Sequence, residues 1–205
     1  MWEYRLIWTG EAPSWWDAAW RAGEAALRRH GRTPETRPDT YLVLADRPDV
    51  GLKTRGAGGE FEAKLRHQSE LGWELWEKIP FFRWDDLEIT RFSVALQQPL
   101  PQRVEAATPV DGVKAALAAM GIAVREVTVA KTRLQTRAGE LLPALGREAA
   151  DPGWLAELVE IEVPGKPAAR SLCFEAMRSS GAAPPVAHRE LARNAGYPAY
   201  LAGAS

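Results

Sequence analysis

Between residues 52 and 66 the chain runs Leu52-Lys53-Thr54-Arg55 and, after a glycine-rich break, Phe61-Glu62-Ala63-Lys64-Leu65-Arg66. Charges at every second position share a face only in a β-strand, where side chains point alternately to the two sides of the sheet. Strands over Val50 to Arg55 and Glu60 to Arg66 are therefore expected, joined as a hairpin by Gly56-Ala57-Gly58-Gly59. That turn lacks Gly-Lys-Ser/Thr and precedes a strand, so it is not a phosphate loop.

The same alternation recurs. Lys131 and Arg133 share a face, Glu160 and Glu162 share one with Leu158, and Glu175 shares one with Ser171 and Cys173. For any one strand, a charged face is explained by solvent. Several strands that sort their charges by sign point instead to a lined interior: cations grip phosphate oxygens as charge-assisted donors, and carboxylates hold a hard divalent ion. The expected fold is mainly β (α+β), a closed antiparallel β-barrel whose bore carries Arg, Lys and Glu, with a polyanionic phosphate as its ligand.

The rest of the chain fits this frame. Trp2 to Trp8 reads as a first strand ended by Gly10, and Ser14 as the cap of a helix running through Arg28. Trp15, Trp16 and Trp20 fall near helical spacing on that helix and are expected to pack over the barrel. Thr40 to Leu44 is a further strand. Ser69 to Lys78 reads as a short helix or irregular segment, and Glu88 to Leu96 as a strand before the break at Pro99-Leu100-Pro101. A helix is expected over Val110 to Met120, closed by Gly121, then one strand or two over Ile122 to Leu134. Glu140 to Arg147 is a short helix or loop. Leu158 to Val163 and Arg170 to Met177 form a hairpin, and a short helix covers Val186 to Ala195. No linker divides residues 1–205, so one domain is expected.

Composition narrows the class of partner. A formal net charge of -1 and a pI near 6.3 give no global field toward nucleic acid or an anionic membrane. The single cysteine excludes an internal disulfide, and no run approaches the ~20 apolar residues of a membrane span. With no signal-peptide pattern at its N-terminus, the chain is expected to be cytoplasmic. His30, His67 and His188 are scattered, which argues against zinc. Cys173 reads as a small buried hydrophobe. Trp73, Trp76, Phe81, Phe82 and Trp84 read as a hydrophobic cap or a subunit contact, which admits a homodimer, and not as a base-stacking platform.

At these residues the chain resembles the CYTH superfamily, the triphosphate tunnel metalloenzymes. Met1-Trp2-Glu3-Tyr4-Arg5 is similar to the family's opening Glu-x-Glu-x-Lys strand, with Met1 in place of the first Glu and Arg5 for its Lys. Asp39-Thr40-Tyr41, Leu52-Lys53-Thr54-Arg55, Phe61-Glu62-Ala63-Lys64 and Ala130-Lys131-Thr132-Arg133 follow in the family's order, and Leu158 to Val163 with Cys173-Phe174-Glu175 stand where its acidic strands lie. The resemblance implies an eight-stranded tunnel with flanking helices that binds a triphosphate or polyphosphate group with Mg²⁺ or Mn²⁺. Active members hydrolyse it by attack of a metal-activated water, and others cyclise ATP.

On this reading Arg5, Lys53, Arg55, Lys64, Arg66, Lys131 and Arg133 bind phosphate, and Glu3, Glu160, Glu162 and Glu175 bind the metal. No catalytic residue is assigned. The partner is a small phosphorylated molecule. A divalent-metal-dependent triphosphatase is the first expectation; the missing carboxylate at Met1 keeps open a binder of the same fold without turnover. A protein-interaction scaffold using the tryptophan helix is the third.

Overall fold

The computed structural model describes residues 1–44, 46–56, 61–81, 90, 93–94, 96–97, 99, 109–146, 153–177, 193–194 and 196–203. Its strands are β1 (Trp2–Thr9), β2 (Glu35–Leu44), β3 (Val50–Arg55), β4 (Phe61–Glu70), β5 (Trp73–Phe81), β6 (Val124–Arg137), β7 (Leu155–Glu162), β8 (Ala169–Ala176) and the two-residue β9 (Arg193–Asn194). The helices are α1 (Trp16–Arg29), α2 (Pro109–Ala119), α3 (Ala138–Leu141) continued by a 3-10 turn over Leu142–Leu145, and α4 (Tyr197–Ala202).

Eight strands pair in the order β5-β4-β3-β2-β6-β7-β8-β1, and β1 pairs back to β5. The sheet thus closes as an eight-stranded antiparallel β-barrel flanked by helices. Closure leaves each strand with hydrogen-bonded neighbours on both sides. β1 shows how the seam is made: one edge pairs with β8 from Trp2↔Ala176 to Thr9↔Ala169. Its other edge pairs with β5 at Trp2↔Leu75 and Glu3↔Glu74, then with β9 at Leu6 and Ile7.

Contacts group the chain into two compact units. The first comprises Met1–Arg37, His67–Trp76 and Val129–Gly196; the second Pro38–Arg66, Glu77–Thr128 and Tyr197–Ser205. In the first, Tyr4, Leu6 and Trp8 of β1, Leu134 of β6, Leu158 of β7 and Leu172 and Phe174 of β8 form one core, covered by Trp16, Ala19 and Leu27 of α1. The expected tryptophan helix is therefore a packing element: Trp16 is buried edge-on to Trp8, with ring centroids 5.3 Å apart. In the second unit, Leu42, Val50, Leu52, Phe61, Ala63 and Leu65 pack beneath Val113, Ala116 and Leu117 of α2.

Several expectations need correction. The segment Ser69 to Lys78 is neither helix nor irregular; it is the hairpin of β4 and β5, turned by Leu71 and Gly72 at φ +50° and +84°. These are left-handed conformations that Gly tolerates and Leu rarely adopts, so the turn carries no Asn-Gly signal. Ser14 does not cap α1: Trp15 stands at the N-cap and no side chain caps the helix. β2 starts at Glu35, ahead of Thr40, and the one strand or two expected over Ile122 to Leu134 are a single strand, β6, from Val124 to Arg137. Of the strand expected over Glu88 to Leu96, the described residues Thr90, Ser93, Val94 and Leu96 are helical, and the others lie outside the described residues. So do residues 57–60, with Glu60 and most of the glycine turn, Leu100 with Pro101, and most of the helix expected over Val186 to Ala195, whose Arg193 and Asn194 form β9. Among the described residues no helix is long and apolar enough to cross a membrane.

Candidate functional site

Each unit carries its own charged cluster on the sheet face turned away from its helix-covered core. In the second unit the cluster follows from register. Tyr41 on β2, Lys53 on β3 and Glu62 on β4 lie directly opposite one another, and Asp39 lies opposite Arg55. Because Leu52, Phe61 and Ala63 are taken by the core, alternation sends Lys53, Arg55, Glu62 and Lys64 to the other face.

Glu62 is the centre of this cluster. It is 4% exposed, and three cations from the two neighbouring strands meet it: Arg55 Nη2 of β3 donates to Oε2 at 2.8 Å, Lys78 Nζ of β5 lies 2.7 Å from the same oxygen, and Lys53 Nζ of β3 lies 3.4 Å from Oε1. Burial opposes the charged carboxylate, but Lys53, the hydrogen bond from Lys78 and the charges of Arg55 and Lys64 outweigh it and hold Glu62 at about 2. Burial brings the Lys53 amine down to about 8; Glu62 and Asp39 oppose that fall, while Lys64 and Arg55 deepen it. Arg55 Nε is buried and makes no hydrogen bond, which leaves a donor in place for a ligand oxygen. Lys53 also lies 5.9 Å from the Tyr41 ring, which stacks on Tyr197 of α4. Pro198 of that helix sits so close to β3 that a Cβ on Gly51 would come within 3.1 Å of its Cγ.

The first unit's cluster is centred on Glu157, 6% exposed on β7. Arg5 Nη1 donates to its Oε1 at 2.9 Å and to Ser171 Oγ at 3.2 Å, and Arg133 Nε donates to its Oε2. Burial would raise the Glu157 carboxyl; the Arg5 and Arg133 guanidiniums hold it far below the usual carboxylate range. Arg5 also lies 3.6 Å from Glu3, and Arg133 donates to Glu35 at 3.5 Å. Glu175 is half-buried and accepts a hydrogen bond from Gln135 at 3.1 Å. Lys131 is buried on β6. Cys173 is fully buried, and burial pushes its thiol well up, as fits a packed small side chain and not a nucleophile.

The expected phosphate residues thus fall into two sets, with Lys53, Arg55 and Lys64 in one cluster and Arg5 and Arg133 in the other. Arg66 follows on β4, half-buried, near Asp49. The expected metal residues are not brought together. Glu3 and Glu175 are opposite one another across β1 and β8, but Glu160 and Glu162 are exposed and share β7's other face with Leu158, whose side chain is in the core. Among the described residues no three His, Cys, Asp or Glu side chains are placed to hold a metal ion. The described carboxylates therefore do not fit a resident divalent ion, since such an ion takes most of its six or more ligands from oxygen atoms converging at 2.0–2.6 Å, a generic coordination range of about that span.

Three charged residues were missed. Glu157 precedes the strand start inferred at Leu158, and Glu74 and Lys78 lie in the segment not recognised as β5. The alternation Glu74, Trp76, Lys78 was the available signal for the last two.

No protein-family model matches the chain, and no curated protein does. Among solved structures it is similar to the PH1819 protein of Pyrococcus horikoshii, with 13% identity, 99% of each chain covered and a TM-score of 0.46. It is also similar to HpAC1 of Hippeastrum, a candidate adenylyl cyclase with a dominant triphosphatase activity (12% identity, 86% of this chain and 80% of that one, TM-score 0.40). A candidate adenylate cyclase of Bacillus halodurans shares 10% identity over 86% of this chain and 81% of that one, with a TM-score of 0.37. These neighbours are CYTH-fold proteins. With every one of these scores below 0.5, the barrel assignment rests on the strand pairing of this chain alone.

Proposed function

We propose that this chain, as one tunnel domain over residues 1–205, binds the triphosphate or polyphosphate group of a small molecule through Lys53, Arg55, Lys64 and Lys78. One observation carries the reading: three cations from the two strands flanking β4 already converge on a buried anionic oxygen pair, that of Glu62. Four cationic side chains face two carboxylates, Glu62 and Asp39, leaving an excess of positive charge around a buried carboxylate, with Lys78 exposed at its edge. There an anion gains more from charge-assisted hydrogen bonds than it would at the surface. A carboxylate and a phosphate oxygen demand the same donors, so the cluster is preorganised for either.

Arg5, Lys131 and Arg133 form the secondary set of this proposal, because both guanidiniums are already compensated by Glu157. Turnover asks for more: a group that activates water beside the bound phosphate. Glu62, Glu157 and Glu175 are engaged with lysine, arginine or glutamine side chains, so binding without hydrolysis is the function we favour.

The test is a pair of measurements on the whole protein. Tripolyphosphate is expected to raise the melting temperature, by an amount set by its concentration over its Kd, and Lys53→Ala with Arg55→Ala to abolish that rise. Phosphate release from tripolyphosphate, ATP and thiamine triphosphate with Mg²⁺ or Mn²⁺ is expected to stay at background. Steady release would replace the binder with a triphosphatase, and no thermal shift with any of the three would end the reading.

A further inference from the structure

The Glu62 cluster pairs a carboxylate with the very cations that are to receive an anion, which at first sight wastes them. Simple Coulomb reasoning says that removing Glu62 should strengthen polyanion binding, because one negative charge leaves the site. The surroundings of Lys53 argue the reverse. From β2 it faces Asp39 and Tyr41, from β3 Arg55, from β4 Glu62 and Lys64, and Lys78 of β5 reaches it only through Glu62. Tyr197 of α4 closes over Tyr41. Two of these neighbours are cations that destabilise a second ammonium, and only Glu62 and Asp39 favour it.

We propose that Glu62 is a positioning residue for the anion site, gathering Lys53 and Arg55 from β3 and Lys78 from β5 and supplying the counter-charge that lets Lys53 stay an ammonium inside the sheet. This rests on the phosphate-binding reading above. Its geometry is a division of labour between two oxygens: Oε2 takes the Arg55 and Lys78 donors, while Oε1 accepts no hydrogen bond and meets Lys53 as an ion pair at 3.4 Å. Lys53 is therefore held by charge and not by a directed bond, and it can turn to a ligand oxygen without leaving a broken hydrogen bond behind. Without Glu62 the amine, already near 8, has burial, Lys64 and Arg55 against its charge and Asp39 alone for it. It sheds its proton near neutral pH, so the site loses one positive charge along with the one negative charge removed.

Two measurements test this. In ligand-free protein carrying ¹³C-lysine, the Lys53 signal, assigned by its loss in Lys53→Arg, is titrated in wild type and Glu62→Gln. The midpoint is expected to fall in Glu62→Gln by about one unit or more, tenfold in proton affinity; an unmoved midpoint overturns the proposal. Glu62→Asp, which keeps the charge but withdraws it, is expected to fall between the two and provides the reading if Glu62→Gln does not fold. Tripolyphosphate binding is then followed by calorimetry from about pH 6 to 8, across the range in which a destabilised lysine titrates. Glu62→Gln is expected to lose affinity with rising pH more steeply than wild type. Lys53→Arg combined with Glu62→Gln is expected to lose that slope, because a guanidinium keeps its proton. A fallen midpoint with no tripolyphosphate binding by wild type would retain the role of Glu62 and discard the phosphate reading. Binding with an unmoved midpoint would do the opposite.

Discussion

Glu157 joins two arginines, and its position explains both a stability and a pH dependence. Arg5 and Arg133 each use a different oxygen of this one carboxylate, all three within the first unit. Truncation by Glu157→Ala leaves two desolvated guanidiniums short of a partner, and a loss of about 3–5 kcal/mol is expected in denaturant unfolding. The sign of the pH effect follows from its depressed carboxyl. A group held below its unfolded value of 4.5 contributes its full stabilisation above that value and loses it as pH falls through the folded one. Acid unfolding of wild type is thus expected to steepen below about pH 4.5, the range in which unfolded carboxylates protonate. A Glu157→Gln variant would show a shallower slope, and identical acid profiles would show that the charge of Glu157 adds nothing. The residue escaped the sequence reading for a physical reason: β7 is buried on both faces from Ala156 to Val159, so alternation there does not distinguish an inner from an outer side.

At the scale of elements, α1 is set by how close it comes to β6. A Cβ on Gly23 would lie 2.3 Å from Leu134 Cδ2 and 2.8 Å from Cδ1, and Leu134 is fully buried, so it has no room to retreat. Gly23→Ala removes a helix-weakening glycine, a gain of up to about 1 kcal/mol in an isolated helix. Overpacking costs about 1–3 kcal/mol and is expected to win. A melting temperature above wild type would show that α1 can shift instead. The helix itself was legible, since Trp16, Ala19, Trp20, Gly23 and Leu27 keep helical spacing. Its missing cap was not: a serine near a helix start is only a candidate until the backbone decides which residue lies at the N-cap. The β4–β5 hairpin was obscured because Leu71 takes the left-handed turn position that sequence rules reserve for Gly or Asn.

For the whole molecule, the consequential feature is closure. β1 pairs with β8 over eight residue pairs but with β5 over two, supported by the Trp76 amide donating to the Met1 carbonyl at 2.9 Å. Local opening is least costly where the fewest hydrogen bonds and apolar contacts must be given up. In hydrogen exchange, the Trp76 amide is expected to exchange before the amides of Leu172 and Phe174 on β8. The reverse order would place the weak seam elsewhere in the barrel.

The sequence by itself determined the local grammar. It indicated most of the strands, though not the β4–β5 hairpin; it also indicated that Lys53 shares a face with Arg55 and Glu62 with Lys64, and that the tryptophans at the start of α1 are packing residues. These are consequences of side-chain alternation and helical period, properties of a few consecutive residues. Only the tertiary structure decided which charges meet. The choice between Glu157 and the pair Glu160 and Glu162, the arrival of Lys78 beside Glu62, and the pairing of Arg5 with a residue 152 positions away depend on register between distant strands. Register is fixed by the packing of whole faces and the closing of the sheet, and no short stretch of sequence contains that information.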